Sequence, residues 1–460
     1  MTQGLLSEVA AVTGGKLFGA DRKFERISTD TRRVAREELF VALRGTHFNG
    51  HDFLNKAEQS HAAGALVEHM VAAHLPQIVV GDTRRALGAW AAHWRERYDI
   101  PVVGITGSNG KTTTKEMVAS ILRERGATLS TRANQNNDIG VPLTLLGLGA
   151  QHRAAVIEMG TNHRGEIAYL AKLVSATVGV VTNAGMAHLE FLGSVQGVAL
   201  EKGALYAELR ASGTAVINAD DAHAGLWREM AGARPQLSFG VKETADFHPQ
   251  AESLSVSTTG IWGYRLMTPQ GTADIRLSLP GRHNVLNSLA AAAAALAAGA
   301  DLDAVRAGLA HVPVTAGRLM VLPGLRHSRL IDDTYNANPQ SLKAAMEFAL
   351  SLGDPVWLAL GDMGELGAEA ARLHADCGEL ARRLGIARLL SFGNLSVHAA
   401  EHFGAGGEHF PSVELLIKAL HASLRPGFTL LVKGSRSRHM ERVVEALRAS
   451  QTVGTSTEIG

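Results

Sequence analysis

"GITGSNGKTTTKEM" (Gly104–Met117) is the stretch on which the fold turns. A phosphate-binding loop needs backbone N–H groups facing an anion, a helix N-terminus behind them, and a lysine to meet terminal phosphate charge. This stretch offers all three. It follows "IPVVGIT", a buried-strand run, and opens "TKEMVASILRERG", where Met117, Val118, Ile121 and Leu122 share a helix face and Gly126 suits the C-terminal cap. The spacing is unusual. The standard loop has a glycine five residues before the Gly-Lys pair; here that position is Ile105, and the nearest glycines are Gly104 and Gly107. The bland alternative is a glycine-rich turn with an exposed lysine. The flanking strand and helix and the dense Gly-Lys-Thr-Thr run favour nucleotide binding. Gly107, Ser108, Asn109, Gly110, Lys111, Thr112 and Thr113 are therefore expected at the phosphates, with Lys111 on the β- and γ-groups and the Thr112 hydroxyl on Mg²⁺.

Outward from this loop, short apolar runs alternate with helical periodicity. "AAVIEM", "VGVVTN", "TAVIN", "RLIDD", "VWLAL", "RLLSF" and "TLLVKG" read as strands that end in polar or glycine-rich turns. Such alternation predicts an α/β protein with parallel sheets and crossover helices. Between Ser253 and Leu279 the period falls to two, so an antiparallel segment is expected there. "SLAAAAAALAAGA" (Ser288–Ala300) is too short for the ~20 residues of a membrane span and reads as a tightly packed internal helix. Breaks near residues 98 and 314 predict three domains, 1–97, 98–313 and 314–460, and the last ten residues read as a frayed tail.

The chain has 460 residues, with 45 basic against 44 acidic side chains and a formal net charge of +1. That balance leaves no basic field for nucleic acid or an anionic membrane. Cys377 is the only cysteine and the N-terminus lacks the pattern of a signal peptide, so a cytoplasmic monomer is expected.

Three polar stations lie at later strand ends: Glu158 in "AAVIEMG", His188 in "NAGMAHLE" and Lys202 in "LEKGAL". In an open parallel sheet, ligands bind beyond the carboxyl ends of the strands, and an acid there can hold a metal that bridges phosphates. Each residue has a plain alternative: a solvated strand end, a loop histidine, and a helix-surface lysine paired with Glu201 or with water.

Taken in order, "TGSNGKTTTKEM", "EMG", "NAGMAHLEFLGS" with "EKG", "GRHNVLNSLAA" and "DDTYNANP" resemble the Mur ligases, ATP-dependent amide ligases of peptidoglycan precursor synthesis. The shortened loop is similar to that family's own version. The resemblance implies a small N-terminal α/β domain that binds a UDP-substrate, a central ATP-binding P-loop domain and a C-terminal Rossmann-like domain. "STDTRRVAREELFVALRGTHFNGHDF" and "DDTYNANPQS" are most similar to the member that adds D-alanyl-D-alanine to UDP-N-acetylmuramoyl-tripeptide. No Asp-Asn-Pro-Arg stretch marks the diaminopimelate-adding relative, and folylpolyglutamate ligases lack such an N-terminal domain. Another Mur-type ligase and a non-catalytic nucleotide switch are the alternatives. Whether the third peptide residue is diaminopimelate or lysine stays open.

The same resemblance implies residue roles. Ser28, Thr29, Asp30 and Arg32 fall at the UDP-sugar end, and Asn134, Asn136 and Asn137 beside the reacting muramoyl-peptide. Glu158 and His188 belong to a second Mg²⁺, joined by Lys202 if that lysine is carbamylated. Asn284 and Asn287 lie near adenine, Arg318 reaches phosphate, and Asp333 reaches the ribose. Tyr335, Asn336 and Asn338 lie near the incoming amine, with Lys433, Ser435 and Arg436 at a strand end facing the cleft. Ala204 departs from the acid that many relatives carry after this Lys-Gly pair. The acids of "LGDMGELG" (Leu360–Gly367) could orient the amine or cap a helix. Domain closure about hinges near 98 and 314 is also expected.

Overall fold

Val102–Thr106, the strand that delivers the loop, sits inside a six-stranded parallel sheet. Its order is Gln236–Phe239, Thr214–Asn218, Val178–Val181, Val102–Thr106, Ala154–Glu158, Thr128–Ser130. The chain leaves Val102–Thr106 toward one side and later returns to the other, so this strand is the switch point at which an α/β sheet opens a crevice. The register aligns Glu158 with Ile105 and Val181 with Thr106. The loop, the acid and the segment after Val181 thus converge at one edge. The computed structural model describes residues 2–449 apart from His47 and Glu243, so the expected tail lies outside the described residues.

One face of this sheet carries the loop helix Lys111–Arg123, packed on Leu302–Ala310 and on His283–Ala297. The latter is the alanine-rich run, and its small side chains are buried against Val103, Ile105, Met117 and Ile121. The predicted antiparallel segment is present as Ile261–Thr268 paired with Gly271–Pro280, with two short strands beside it.

The N-terminal unit holds a five-stranded sheet ordered Lys16–Phe18, Gln77–Val79, Gly64–Val67, Glu38–Val41, Arg26–Ser28, parallel apart from its first strand. The C-terminal unit holds six strands: Met320–Pro323, Arg329–Asp333, Thr429–Lys433, Val356–Gly361, Arg388–Phe392, Gly407–Phe410. Its first strand is antiparallel and the others are parallel. The α/β class with three units matches the reading of the sequence.

The junction near residue 98 differs from the expected hinge. Helix Thr83–Glu96 buries Trp90 and Trp94 in one apolar cluster that holds Leu6 and Val9 from the N-terminal unit and Val141, Leu145, Leu170 and Val174 from the central unit. Trp94 Nε1 donates to the Leu148 carbonyl at 3.2 Å. The buried Arg95 guanidinium donates to the carbonyls of Val174, Tyr98 and Ser175, which terminate two helices. A hinge needs few buried contacts, and this junction has a continuous core. The C-terminal unit instead has two apolar clusters of its own, which take in only Met186 and Leu189 from the central unit.

Candidate active site

The loop is held before any nucleotide arrives. Asn183 accepts from two of its amides, Ser108 N to the Asn183 carbonyl at 3.0 Å and Asn109 N to Asn183 Oδ1 at 2.9 Å. Ser108 Oγ accepts from Gly185 N at 2.9 Å. Gly107 has φ 146°, and a Cβ there would run into the Thr182 hydroxyl. Gly110, at φ 79°, would likewise collide with Asn287 Oδ1. The first N–H groups of Lys111–Arg123 have no carbonyl within the helix to meet and are left for an anion. Thr112 and Thr113 lie in this first turn.

Lys111 lies over the loop, its Nζ donating to the Gly107 carbonyl at 2.8 Å and the Ser108 carbonyl at 3.2 Å. Burial pulls this ammonium below its ordinary pKa; the Glu158 and Glu365 carboxylates oppose that shift and Arg318 adds to it. These charges are therefore close enough to sense one another. Lys202 is fully buried, its Nζ has no hydrogen-bond partner among the described residues, and burial followed by the Lys111 charge drives its pKa well down. The surface-lysine alternative fails. Glu201 is not its partner: its carboxylate accepts from Gly165 N at 2.7 Å and Ile167 N at 2.8 Å, at the head of helix Glu166–Val174.

Glu158 is buried. Its Oε1 accepts from Asn136 Nδ2 at 2.9 Å, while Oε2 has no partner among the described residues. Asn137 Oδ1 accepts from Gly140 N at 2.9 Å and heads helix Gly140–Leu145; Asn134 is exposed on the same loop. His188 Nδ1 lies 2.6 Å from Glu365 Oε2, a close polar contact without the alignment of a hydrogen bond. That contact holds the Glu365 carboxyl below its usual range. Of the acids of "LGDMGELG", Asp362 takes the capping role and Glu365 meets His188. Asp362 Oδ1 accepts from Leu395 N and Ser396 N and so heads helix Ser396–Phe403, whereas Glu365 faces the site.

Three side chains reach the loop from the C-terminal unit. Arg318 Nη2 donates to Thr112 Oγ1 at 2.9 Å, with its guanidinium 4.3 Å from the Tyr335 ring centre. Asn338 Nδ2 donates to Asn109 Oδ1 at 2.7 Å, and Asn109 Nδ2 donates to Gln340 Oε1 at 3.1 Å. Asn338 also caps helix Pro339–Ser351 through Ser341 N, so both its polar atoms are engaged. Asn284 and Asn287 bond to each other at 2.9 Å behind Gly110.

Other expected residues sit differently. Asp333 is committed on both oxygens, to the Lys433 ammonium and, at 3.2 Å, to Leu319 N. Lys433 is buried and also donates to the Asn336 carbonyl at 3.0 Å, so it is not a free cleft lysine. A buried strand-end ammonium needs a carboxylate; removing either partner would strand the other charge at a cost of about 3–5 kcal/mol. Ser435 pairs with Ser437, and Arg436 lies 3.7 Å from Glu441. Ser28 and Asp30 form a turn in which Asp30 holds the Arg32 guanidinium and backbone N; Thr29 is half-buried between them. Among the described residues no hydrogen bond or ion pair joins this turn to the phosphate loop. Asn183 and Gln340 were not singled out from the sequence, and Glu365 only as one of the acids of "LGDMGELG", without its histidine partner. Each acts through a partner far along the chain, which no local pattern encodes.

The arrangement is an anion hollow with two ammonium groups, a guanidinium, an unsatisfied carboxylate oxygen and a histidine around it. It can bind a polyphosphate and neutralise charge that builds on it. The profile of the Mur ligase middle domain matches residues 105–295, and that of the Mur ligase glutamate ligase domain matches residues 317–436. The UDP-N-acetylmuramoyl-tripeptide–D-alanyl-D-alanine ligase of Escherichia coli K12 is 42% identical over 450 residues, which are 97% of this chain and 99% of that protein.

This chain belongs to the Mur ligase family.

Solved Mur ligases agree over almost the whole length. MurF from Acinetobacter baumannii superposes with a TM-score of 0.91 at 34% identity, covering 97% of this chain and 98% of that one. The MurF ligase of Thermotoga maritima, crystallised in complex with ADP, gives 0.81 at 26% identity over 92% and 96%. The Mur ligase three-domain α/β architecture is therefore that of this chain.

Proposed function

We propose that this Mur ligase is an ATP-dependent amide ligase that adds D-alanyl-D-alanine to UDP-N-acetylmuramoyl-tripeptide, giving the UDP-pentapeptide precursor of peptidoglycan, ADP and phosphate. One observation carries the reading: Lys111, Lys202, Glu158 and Arg318 surround a helix-headed phosphate loop at the switch point, in a chain alike over its full length to ligases of that name. We assign residues 1–97 to the UDP-substrate, 98–313 to ATP and 314–460 to the ligase unit, in the cytoplasm where both nucleotides are made.

A carboxylate and an amine do not condense in water, because oxide is a poor leaving group. The terminal carboxylate of the tripeptide attacks the γ-phosphorus of ATP; an O–P bond forms, the β–γ bridge breaks, and ADP leaves. The unprotonated amine of D-alanyl-D-alanine then attacks the acyl carbon, and phosphate departs with the C–O electron pair as the nitrogen loses its proton. The first step drives one anion into another, so positioned positive charge is the main catalytic term. Lys111, Arg318 and the amides heading the loop helix provide it, with Asn134, Asn136 and Asn137 flanking the peptide and Tyr335, Asn336 and Asn338 on the amine side. Ser28, Thr29, Asp30 and Arg32 anchor the UDP end, Asn284 and Asn287 the nucleoside, and Ser435 and Arg436 the cleft rim; Asp333 would reach the ribose only through the lone pairs left over by Lys433 and Leu319 N.

The residues present fit Mg²⁺. Glu158 Oε2 is a buried carboxylate oxygen without a partner, and Thr112 offers a hydroxyl. Among the described residues no three His, Cys, Asp or Glu side chains gather as a metal cage would need, so a second cation shared by Glu158 and His188 would call for a further oxygen ligand. Carbamylation of Lys202 would supply it: the unprotonated form of this buried amine would take up CO₂, release a proton and become a carboxylate-like group. Two Mg²⁺ ions, one on Thr112 and one on Glu158, His188 and the Lys202 carbamate, would neutralise phosphate charge and polarise the γ-group.

The test is phosphate release from purified protein with ATP and Mg²⁺. Release only when both UDP-tripeptide and D-alanyl-D-alanine are present is expected. Release with neither marks a simple ATPase, and none under any condition marks a nucleotide switch.

A further inference from the structure

Glu365 stands on the C-terminal unit, yet its carboxylate reaches His188 on the central one. Three further observations set this contact apart from an ordinary ion pair. Both residues hold left-handed backbone, φ 63° at Glu365 and 57° at His188, although neither is glycine. Such conformations persist where the surroundings over-determine them. The Glu365 carbonyl also accepts from Glu190 N at 3.3 Å, so the backbones of the two turns are tied as well as the side chains. Finally, Met186 and Leu189 on either side of His188 pack into the C-terminal core with Met363 and Leu366 on either side of Glu365. Among the described apolar residues the central unit gives no others to that core.

We propose that Glu365 is a positioning residue for His188, through which seating of the C-terminal unit turns the imidazole toward the second cation. This rests on the reading that His188 serves that cation. The contact uses Nδ1 and so leaves Nε2 as the nitrogen available to a cation. A carboxylate on the far nitrogen fixes the ring and raises its basicity as a ligand, and losing such a partner typically weakens metal binding about 10–100-fold. The consequence is an order of events. The second cation is held firmly only once the unit carrying the amine-side residues is in place, so the acyl phosphate forms when water is already excluded.

The experiment titrates Mn²⁺ by electron paramagnetic resonance into the full-length protein with a non-hydrolysable ATP analogue and UDP-tripeptide. Wild type is expected to bind two ions. Glu365→Ala and the isosteric Glu365→Gln should weaken the second by about tenfold or more and leave the first unchanged, with Glu365→Asp between. The Mg²⁺ requirement for phosphate release should move in step, while KM for ATP at saturating Mg²⁺ stays within about twofold. Unchanged affinity for both ions in Glu365→Gln, or equal weakening of both, overturns the proposal. A wild-type protein that binds one ion or fails to ligate overturns the underlying functional reading instead.

Discussion

Arg318, on the C-terminal unit, donates a hydrogen bond to Thr112, at the head of the loop helix of the central unit, over 2.9 Å. With the nucleotide site so arranged, a guanidinium delivered by one unit reports directly on the phosphate hollow of another. The Tyr335 ring beneath it keeps the fork flat against the cleft.

Replacing Arg318 by alanine should therefore lower kcat/KM for ligation by about a hundredfold or more, the range for loss of one preorganised transition-state charge. Arg318→Lys should recover little, because the planar fork and its stacking are lost. Tyr335→Phe keeps the ring and should stay near wild type. Steady-state phosphate release checks all three, and an Arg318→Ala enzyme within about threefold of wild type would remove Arg318 from the phosphate role.

Asn338 does two jobs with two atoms: Oδ1 caps helix Pro339–Ser351 and Nδ2 holds Asn109 in the loop. Asn338→Ala should cost about 1 kcal/mol of stability through the cap. Asn338→Asp keeps the cap and loses the donor to Asn109. It should melt like wild type while KM for ATP rises, measured by thermal denaturation and initial rates. An unchanged KM for ATP would show that the Asn338–Asn109 bond does not shape the loop.

On the proposed cation role of Lys202, Lys202→Ala should nearly eliminate activity; its ammonium nitrogen is fully buried with no hydrogen-bond partner among the described residues. Acetate or propionate should restore part of it by placing a carboxylate in the space. CO₂-depleted buffer should depress the wild-type rate and leave the rescued variant alone. A Lys202→Ala enzyme of normal activity sinks the carbamate.

His283, beside the Lys433–Asp333 pair, has its pKa lowered to about 4, first by burial, with Asp333 opposing and Lys433 assisting. The unfolded chain binds this proton near pH 6.5, well before the folded one does. Stability is thus intact above about pH 6.5 and falls as pH drops from there toward about 4. His283→Gln should flatten that part of the melting-temperature profile. A variant whose profile runs parallel to wild type would show that the acid loss arises elsewhere.

The sheets were legible because buried parallel strands read as apolar runs closed by turns: "AAVIEM" is Ala154–Glu158 and "TLLVKG" is Thr429–Lys433. The loop was legible because glycines and a lysine must be contiguous to wrap a phosphate. What surrounds the loop was not. Asn183 clasps two of its amides, and Gln340 and Glu365 approach from another unit. Asp333 and Lys433 each looked free in the sequence, and only the pairing of Arg329–Asp333 with Thr429–Lys433 brings them into mutual neutralisation. Residue 98 looked like a boundary by composition, but Trp90, Trp94 and Arg95 just before it bury themselves across it.

That junction sets where the chain can be cut. A fragment beginning after Tyr98 would leave Leu145, Leu170 and Val174 facing water without the tryptophans that now cover them. Such a fragment is expected to aggregate on expression, and the first two units must be made as a single piece. The C-terminal unit carries two cores of its own, so severing the chain near Pro313 should yield a soluble fragment that can be added back to the remainder in trans.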